Sequence, residues 1–260
     1  MKTDSPAYTL AFTAAVCVAC SLLVAGSNVL LKERQEENRR LYLQKNVLQA
    51  SGLVPPGRKV PDREAREMFR GRVEARLVDL ESGEYASGLD PARYDQRRAR
   101  GDPAQSRAVA TNLAVVRRIP KVALVYLVSG EAGARQVVIP VEGLGLYGTL
   151  YGFLALERDT TTIRGLSFYE NRETPGLGGE VDNPKWKALW AGRKAYDEKW
   201  TPRITLVKGQ AGPPERDPYR VDALAGATMT SNGVSRLLQF WLDEQGFGPY
   251  LRKLRERGGP

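Results

Sequence analysis

Residues 137–169 read VVIPVEGLGLYGTLYGFLALERDTTTIRGLSFY. Within them Val137–Val141, Leu150–Leu156 and Ile163–Tyr169 read as three strands, alternating or rich in β-branched residues. Working outward, Val73–Leu80 and Val122–Val128 read as two earlier strands, with an irregular, arginine-rich stretch at about 84–110 between them, taken as a surface excursion. Downstream, Pro184–Trp190 reads as a short helix that begins after Asn183. Ile204–Val207 and Tyr219–Val221 read as late strands around a Gly-Pro-Pro turn at 212–214. A final helix is expected from about Met229 to Glu244, with Val234, Leu237, Leu238 and Trp241 on one face. No internal repeat is visible. The pattern is α+β and leans antiparallel, without regular βαβ alternation.

The N-terminus is different in kind. From Ser5 to Leu31, 27 residues, the chain carries no charged side chain. As a helix that is about 40 Å, against a hydrocarbon core of about 30 Å. A cleaved signal peptide competes, since Cys20 and Ala25-Gly26 supply small residues, but the run is long for one and continues into a helical pattern. A retained transmembrane anchor over 5–31 is the expectation. Residues 32–60 follow as an amphipathic helix over 32–52, with Leu41, Val47 and Leu48 at helical spacing, stopped by Pro55, Pro56 and Gly57, and a linker; a soluble domain then occupies 61–260. Lys2 precedes the anchor, whereas Lys32, Arg34, Arg39 and Arg40 follow it. A bare count of flanking positive charge places the domain in the cytoplasm, a rule that loses force ahead of long folded domains.

Composition removes several chemistries. Among 260 residues there is no histidine, so the usual general base, the commonest metal ligand and the Ser/His or Cys/His nucleophile pairs are gone. Neither a catalytic residue nor a metal site is assigned. Cys17 and Cys20 have redox spacing but lie in the apolar run, where they read as small membrane-helix residues with no second ligand pair. A soluble part without cysteine also suits an oxidising compartment. The net charge is +9, yet lysine and arginine are interspersed with acids and form no aromatic-interleaved stripe, so no nucleic-acid partner is expected. Arg97, Arg98 and Arg100, like Arg252, Lys253, Arg255 and Arg257, read as solvated faces or contacts to neighbouring subunits or lipid headgroups.

One segment carries chemistry. Asp222-Ala-Leu-Ala-Gly-Ala-Thr-Met-Thr-Ser-Asn-Gly-Val234 joins a strand to the last helix, and Thr228, Thr230 and Ser231 crowd the helix start. Alone, that is a cap cluster for free backbone N–H groups. The same geometry is an anion site, because those N–H groups and the helix dipole favour phosphate. Gly226 and Ala227 leave room for a bulky group to approach the backbone.

The segment resembles the flavinylation motif of the FMN-binding domain family, an aspartate followed by (Ser/Thr)-Gly-Ala-Thr-x-(Ser/Thr). The resemblance implies covalent FMN, joined by its phosphate to the Thr228 hydroxyl by a periplasmic flavin transferase. Asp222 would be the recognition aspartate and Gly226, Ala227 and Thr230 the frame; Ala225 stands where the family usually has Ser or Thr. Further blocks, Gly-Leu-Tyr-Gly-Thr-Leu-Tyr-Gly-Phe at 145–153, Phe-Tyr-Glu-Asn-Arg-Glu-Thr-Pro-Gly-Leu-Gly-Gly-Glu-Val at 168–181 and Asn-Pro-Lys-Trp at 183–186, resemble the NqrC subunits of sodium-translocating NADH:quinone reductases. Members often have His where Asn171 stands and Trp where Tyr147 stands.

That family implies a single anchor helix and one α+β FMN-binding domain, with its flavin region at about 140–245. It implies an electron relay from an iron–sulfur or iron centre to the flavin of the B subunit. The complex, with its A, B, D, E and F subunits, couples NADH oxidation to ubiquinone reduction and sodium export. Location follows the transferase: a single-pass protein of the bacterial inner membrane, in contact with lipid, its domain periplasmic, against the bare charge count. No NADH site of its own is expected, since no glycine fingerprint opens a helix after a strand. Tyr147, Thr149, Glu173, Thr174, Leu177 and Gly178 are the expected ring contacts, with the amides of the 174–179 loop on flavin oxygens and nitrogens. The alternatives are the RnfG subunit of the Rnf electron-transport complex, a ferredoxin:NAD relay with the same flavin chemistry, and a non-redox anchored scaffold whose helix start merely caps.

Overall fold

The computed structural model describes residues 5–130 and 135–260. The chain divides into two compact units, Met1–Tyr42 and Leu43–Pro260. Helix α1, Pro6–Ala50, runs through the boundary without a break. Ser5 Oγ accepts the Tyr8 N–H at 3.2 Å and caps its start. Among the described residues it is the one helix long and apolar enough to cross a membrane. Leu10, Leu22, Leu23, Val24, Val29 and Leu30 of its apolar part are all exposed, as lipid-facing side chains are.

In the second unit the end of α1 is followed by α2, Asp62–Arg72, which leads directly into strand β1, Val73–Asp79. A short helix α3 (Gln96–Gly101) and a small ribbon of β2 (Ser106–Ala108) and β3 (Arg118–Pro120) come next. Then come β4 (Val122–Ser129), β5 (Arg135–Leu144), β6 (Thr149–Leu156) and β7 (Ile163–Glu170). These form a five-stranded sheet in the order β1-β4-β5-β6-β7, with every neighbour antiparallel. A 3-10 turn (Gly178–Asp182), helix α4 (Pro184–Ala188), a parallel pair β8 (Thr205–Val207) and β9 (Arg220–Asp222), and helices α5 (Thr228–Leu242) and α6 (Gly248–Glu256) complete the chain.

The two-residue period of the strands sorts their side chains to two cores. Val125, Leu127, Val137, Ile139, Leu154 and Leu156 enter the larger core, with Val234, Leu237, Leu238 and Trp241 of α5. Tyr126, Val128, Val138, Phe153 and Ala155 enter a second core, closed by Val47 and Ala50 at the end of α1. The sheet therefore has both faces covered. Helix α5 is held close to it: Trp241 Nε1 donates to Glu142 O at 2.7 Å, and a Cβ on Gly143 would lie 2.5 Å from Leu237 Cβ.

The arginine-rich stretch is not a free excursion. It contains α3, which Asp95 caps by accepting the Arg97 and Arg98 N–H groups. Arg97 lies 3.7 Å above the Tyr151 ring and pairs with Glu170 at 2.8 Å, and Arg100 pairs with Glu142. These guanidiniums are fastened to the sheet by aromatic faces and carboxylates, not solvated as a charge run suggests. Burial pushes the Glu142 carboxyl up, while Arg100 acts in the opposite sense. The basic residues near the C-terminus do lie on a solvated face, where Lys253 and Arg257 pair with Glu84, and Arg252 with Glu244. The expected final helix is α5, and a further helix not read in the sequence, α6, follows it after a turn through Phe247.

Gly233 fixes how close α5 comes to the turn that follows β5. A Cβ there would press into Leu144 O and lie 3.2 Å from Gly145 Cα. Replacing a helix glycine by alanine gains about 1 kcal/mol of propensity, whereas overpacking against backbone costs about 1–3 kcal/mol. Gly233→Ala is expected to lower the melting temperature; an unchanged or higher one would mean that the contact is not tight.

Candidate cofactor site at the start of α5

The turn from β9 into α5 is built by hydrogen bonds that leave one hydroxyl outside. Asp222 ends the strand; its Oδ1 accepts the Ala211 N–H at 2.8 Å and its carbonyl accepts Trp186 Nε1 at 2.9 Å. Gly226 then takes φ +72°, the left-handed region open to glycine. The helix begins after Ala227, which has no side-chain acceptor to offer. The expectation that Thr228, Thr230 and Ser231 cap the helix is thus corrected. Ser231 is buried, donates to Ala227 O at 2.9 Å and accepts the Leu224 N–H. Thr230 is buried and donates to Glu173 Oε2 at 2.5 Å. Thr228, the first residue of α5, is exposed.

Glu173 is the centre of the arrangement. Its side chain, only 6% exposed, receives Thr230 on Oε2 and the Leu146 and Tyr147 N–H groups on Oε1, at 2.9 and 3.0 Å. One carboxylate thereby joins the 145–148 turn, the 173–179 loop and the first turn of α5. Two sequence glycines follow from it: a Cβ on Gly145 would lie 2.5 Å from Oε1, and one on Gly178 would lie 2.5 Å from both Oε2 and Thr230 Oγ1. Glu173 therefore faces inward and acts as a brace.

Of the other expected ring contacts, Tyr147, Thr174 and Leu177 are exposed, Thr149 is half-buried at the start of β6, and Gly178 is buried. Leu177 reaches back over the turn, since a Cβ on Gly226 would lie 3.0 Å from its Cδ2. Two of the loop amides are engaged within the loop: Leu177 N and Gly179 N both donate to Thr174 O, at 3.1 and 2.9 Å. Sequence reading passed over Leu146 and Met229, both exposed. The signal for Met229 was present, because it stands five residues before Val234 and so falls off the buried stripe of α5.

These residues fit a flat cofactor with a phosphate. The first-turn N–H groups of α5 have no preceding helical carbonyl, so they and the dipole can receive an oxyanion. The Thr228 hydroxyl stands beside them, and Leu177, Tyr147, Leu146 and Met229 offer apolar faces. Among the described residues no group of three His, Cys, Asp or Glu is placed to hold a metal.

The brace has a measurable weight. Glu173→Ala removes the acceptor of three donors, and each buried orphan costs about 1–3 kcal/mol. Glu173→Gln keeps one acceptor oxygen. The urea midpoint should fall strongly for Ala and less for Gln; equal small shifts would show that the carboxylate carries little.

Residues 145–243 match the FMN-binding domain family. Along nearly its whole length the chain is similar to the C subunit of Na(+)-translocating NADH-quinone reductase. It is 43% identical to the Yersinia pestis protein, over 97% of this chain and 94% of that one. It is 44% identical to the Pseudomonas aeruginosa protein, over 97% of each. The crystal structure of NqrC from Shewanella oneidensis superposes with a TM-score of 0.75 at 36% identity, covering 82% of this chain and 96% of the other. With its long apolar N-terminal helix, its α+β domain and these relatives, the chain belongs to the NqrC family of Na(+)-translocating NADH-quinone reductase subunits.

Proposed function

We propose that this chain carries FMN as a phosphoester on Thr228 and relays electrons within a sodium-translocating NADH:quinone reductase. The observation that carries the attachment point is the fate of three neighbouring hydroxyls. Thr230 is committed to Glu173 and Ser231 to Ala227 O, whereas Thr228 is exposed beside the first-turn N–H groups. Bond formation replaces the hydroxyl hydrogen of Thr228 by the FMN phosphoryl group, with net loss of one water. The reading as a scaffold whose Thr228 only caps has no support in α5, where Ala227 holds the cap position without a side-chain bond.

When bound, FMN supplies the redox chemistry, and the protein supplies attachment, orientation and surroundings. The N–H groups at the start of α5 receive the phosphate charge. Leu177, Tyr147 and Met229 shield a ring face from water. Asp222, whose side chain holds the 208–212 loop, keeps the acceptor turn in place for a transferase. Such a relay needs no acid–base pair, which suits a chain without histidine.

The same reading places α1 in the bacterial inner membrane and the domain in the periplasm, where the transferase acts, with the A, B, D, E and F subunits as neighbours. Electrons arrive from an iron or iron–sulfur centre and leave to the flavin of the B subunit. Compared with the RnfG subunit of the Rnf complex, this assignment is favoured by relatives that match across almost the whole chain and carry the Na(+)-translocating NADH-quinone reductase name.

Intact-mass measurement of protein from its native membrane is expected to find an increment of one FMN less one water. Thr228→Val should abolish it and Thr230→Val should keep Thr228 as the modified residue; an unmodified native protein, from cells possessing the transferase, would end the proposal. In the loaded protein Leu177→Ala should shift the visible flavin spectrum. An identical spectrum would remove Leu177 from the ring contacts.

A further inference from the structure

We infer that Lys187 is a positioning residue for the cofactor loop, tying it through a chain of side chains to the end of α1. The inference rests on the reading that the 171–179 loop faces the flavin.

The chain of contacts is continuous. Asn171 Oδ1 accepts the backbone N–H of Glu173 at 3.2 Å, and Asn171 Nδ2 donates to Asp182 Oδ2 at 2.8 Å. Asp182 Oδ1 lies 3.5 Å from Lys187 Nζ, which donates to Ser167 Oγ at 3.2 Å. Ser167 Oγ in turn donates to Asn46 Oδ1 at 2.9 Å. Four elements are thereby joined: the loop, the 3-10 turn with α4, strand β7 and helix α1.

Lys187 is the member whose chemistry is hardest to explain by packing. Its side chain is 10% exposed, and burial pushes its ammonium down from the ordinary lysine range while Asp182 opposes that shift. An apolar residue of the same length would fill the volume without the desolvation cost. What the ammonium adds is engagement in two directions at once, an ion pair with a carboxylate beside the loop and a hydrogen bond to a hydroxyl buried under α1. Ser167 is 1% and Asn46 5% exposed, so that side of the chain is shut off from water. Asn171 and Glu173 stand at the other end, and Glu173 braces the turn that presents Tyr147 and the helix that presents Thr228.

The test is amide hydrogen exchange on the full-length protein in detergent without FMN, for wild type, Lys187→Met and Asn46→Ala. Faster exchange is expected in 171–179 and in the Glu173-bound amides of Leu146 and Tyr147 in both variants, with β4 and β5 unchanged. Asp182→Asn added to Lys187→Met should add nothing further in the loop. Exchange that changes only around residue 187, or that rises equally throughout β4 and β5, would overturn the inference and leave Lys187 a local or general stability element. In the FMN-loaded protein, Lys187→Met should also diminish the visible circular dichroism of the flavin. If mass measurement found no FMN on Thr228, that reading would fail, and the exchange result would stand apart from it.

Discussion

A single buried carboxylate organises the candidate site. Burying an acid is expensive unless its oxygens are met by donors, and Glu173 meets three. The donors come from segments far apart in sequence, residues 146–147 and 230. Folding therefore cannot place this acid without also assembling the turn after β5, the glycine-rich loop and the start of α5. The glycines at 145 and 178 are the steric counterpart, since any side chain there would occupy the carboxylate's own position. Presentation of the Thr228 hydroxyl follows from the same constraint.

The sheet supports this arrangement by being filled on both sides. Alternation sends one set of side chains to α5 and the other to the end of α1 and Phe69. Gly143 and Gly233 then let α5 and the end of β5 approach to near backbone contact. The candidate site lies at that close contact, where the end of the sheet, the turn and the helix start converge.

Much of this was legible in the sequence. The sheet strands announced themselves through β-branched runs, and Asn183 announced α4 by its cap, accepting the Lys185 N–H. The flavin motif and its neighbours were legible only by likeness to a family; their residue types alone equally describe a helix cap and a turn. What escaped was set by tertiary context. Seven of the eleven residues of α2 are charged and it buries one side chain, Ala65, so its apolar period is faint. Arg97 and Arg100 look like solvent-facing charge until Tyr151, Glu170 and Glu142 are brought to them from other strands. The bracing role of Glu173 escaped for the same reason: nothing local says that its three donors come from residues 146, 147 and 230.

If Thr228 carries the flavin as proposed, the burial of Thr230 and Ser231 beside it bears on the order of events in maturation. Three hydroxyls within four positions are chemically almost alike, and in an extended chain an enzyme reading a short motif would meet all three. Only the folded domain separates them. Under the attachment proposed above, fidelity would be a property of the native state, with folding ahead of modification as the proofreader. A phosphoryl group placed early on Thr230 would occupy the ground reserved for Glu173 and bar the domain from closing.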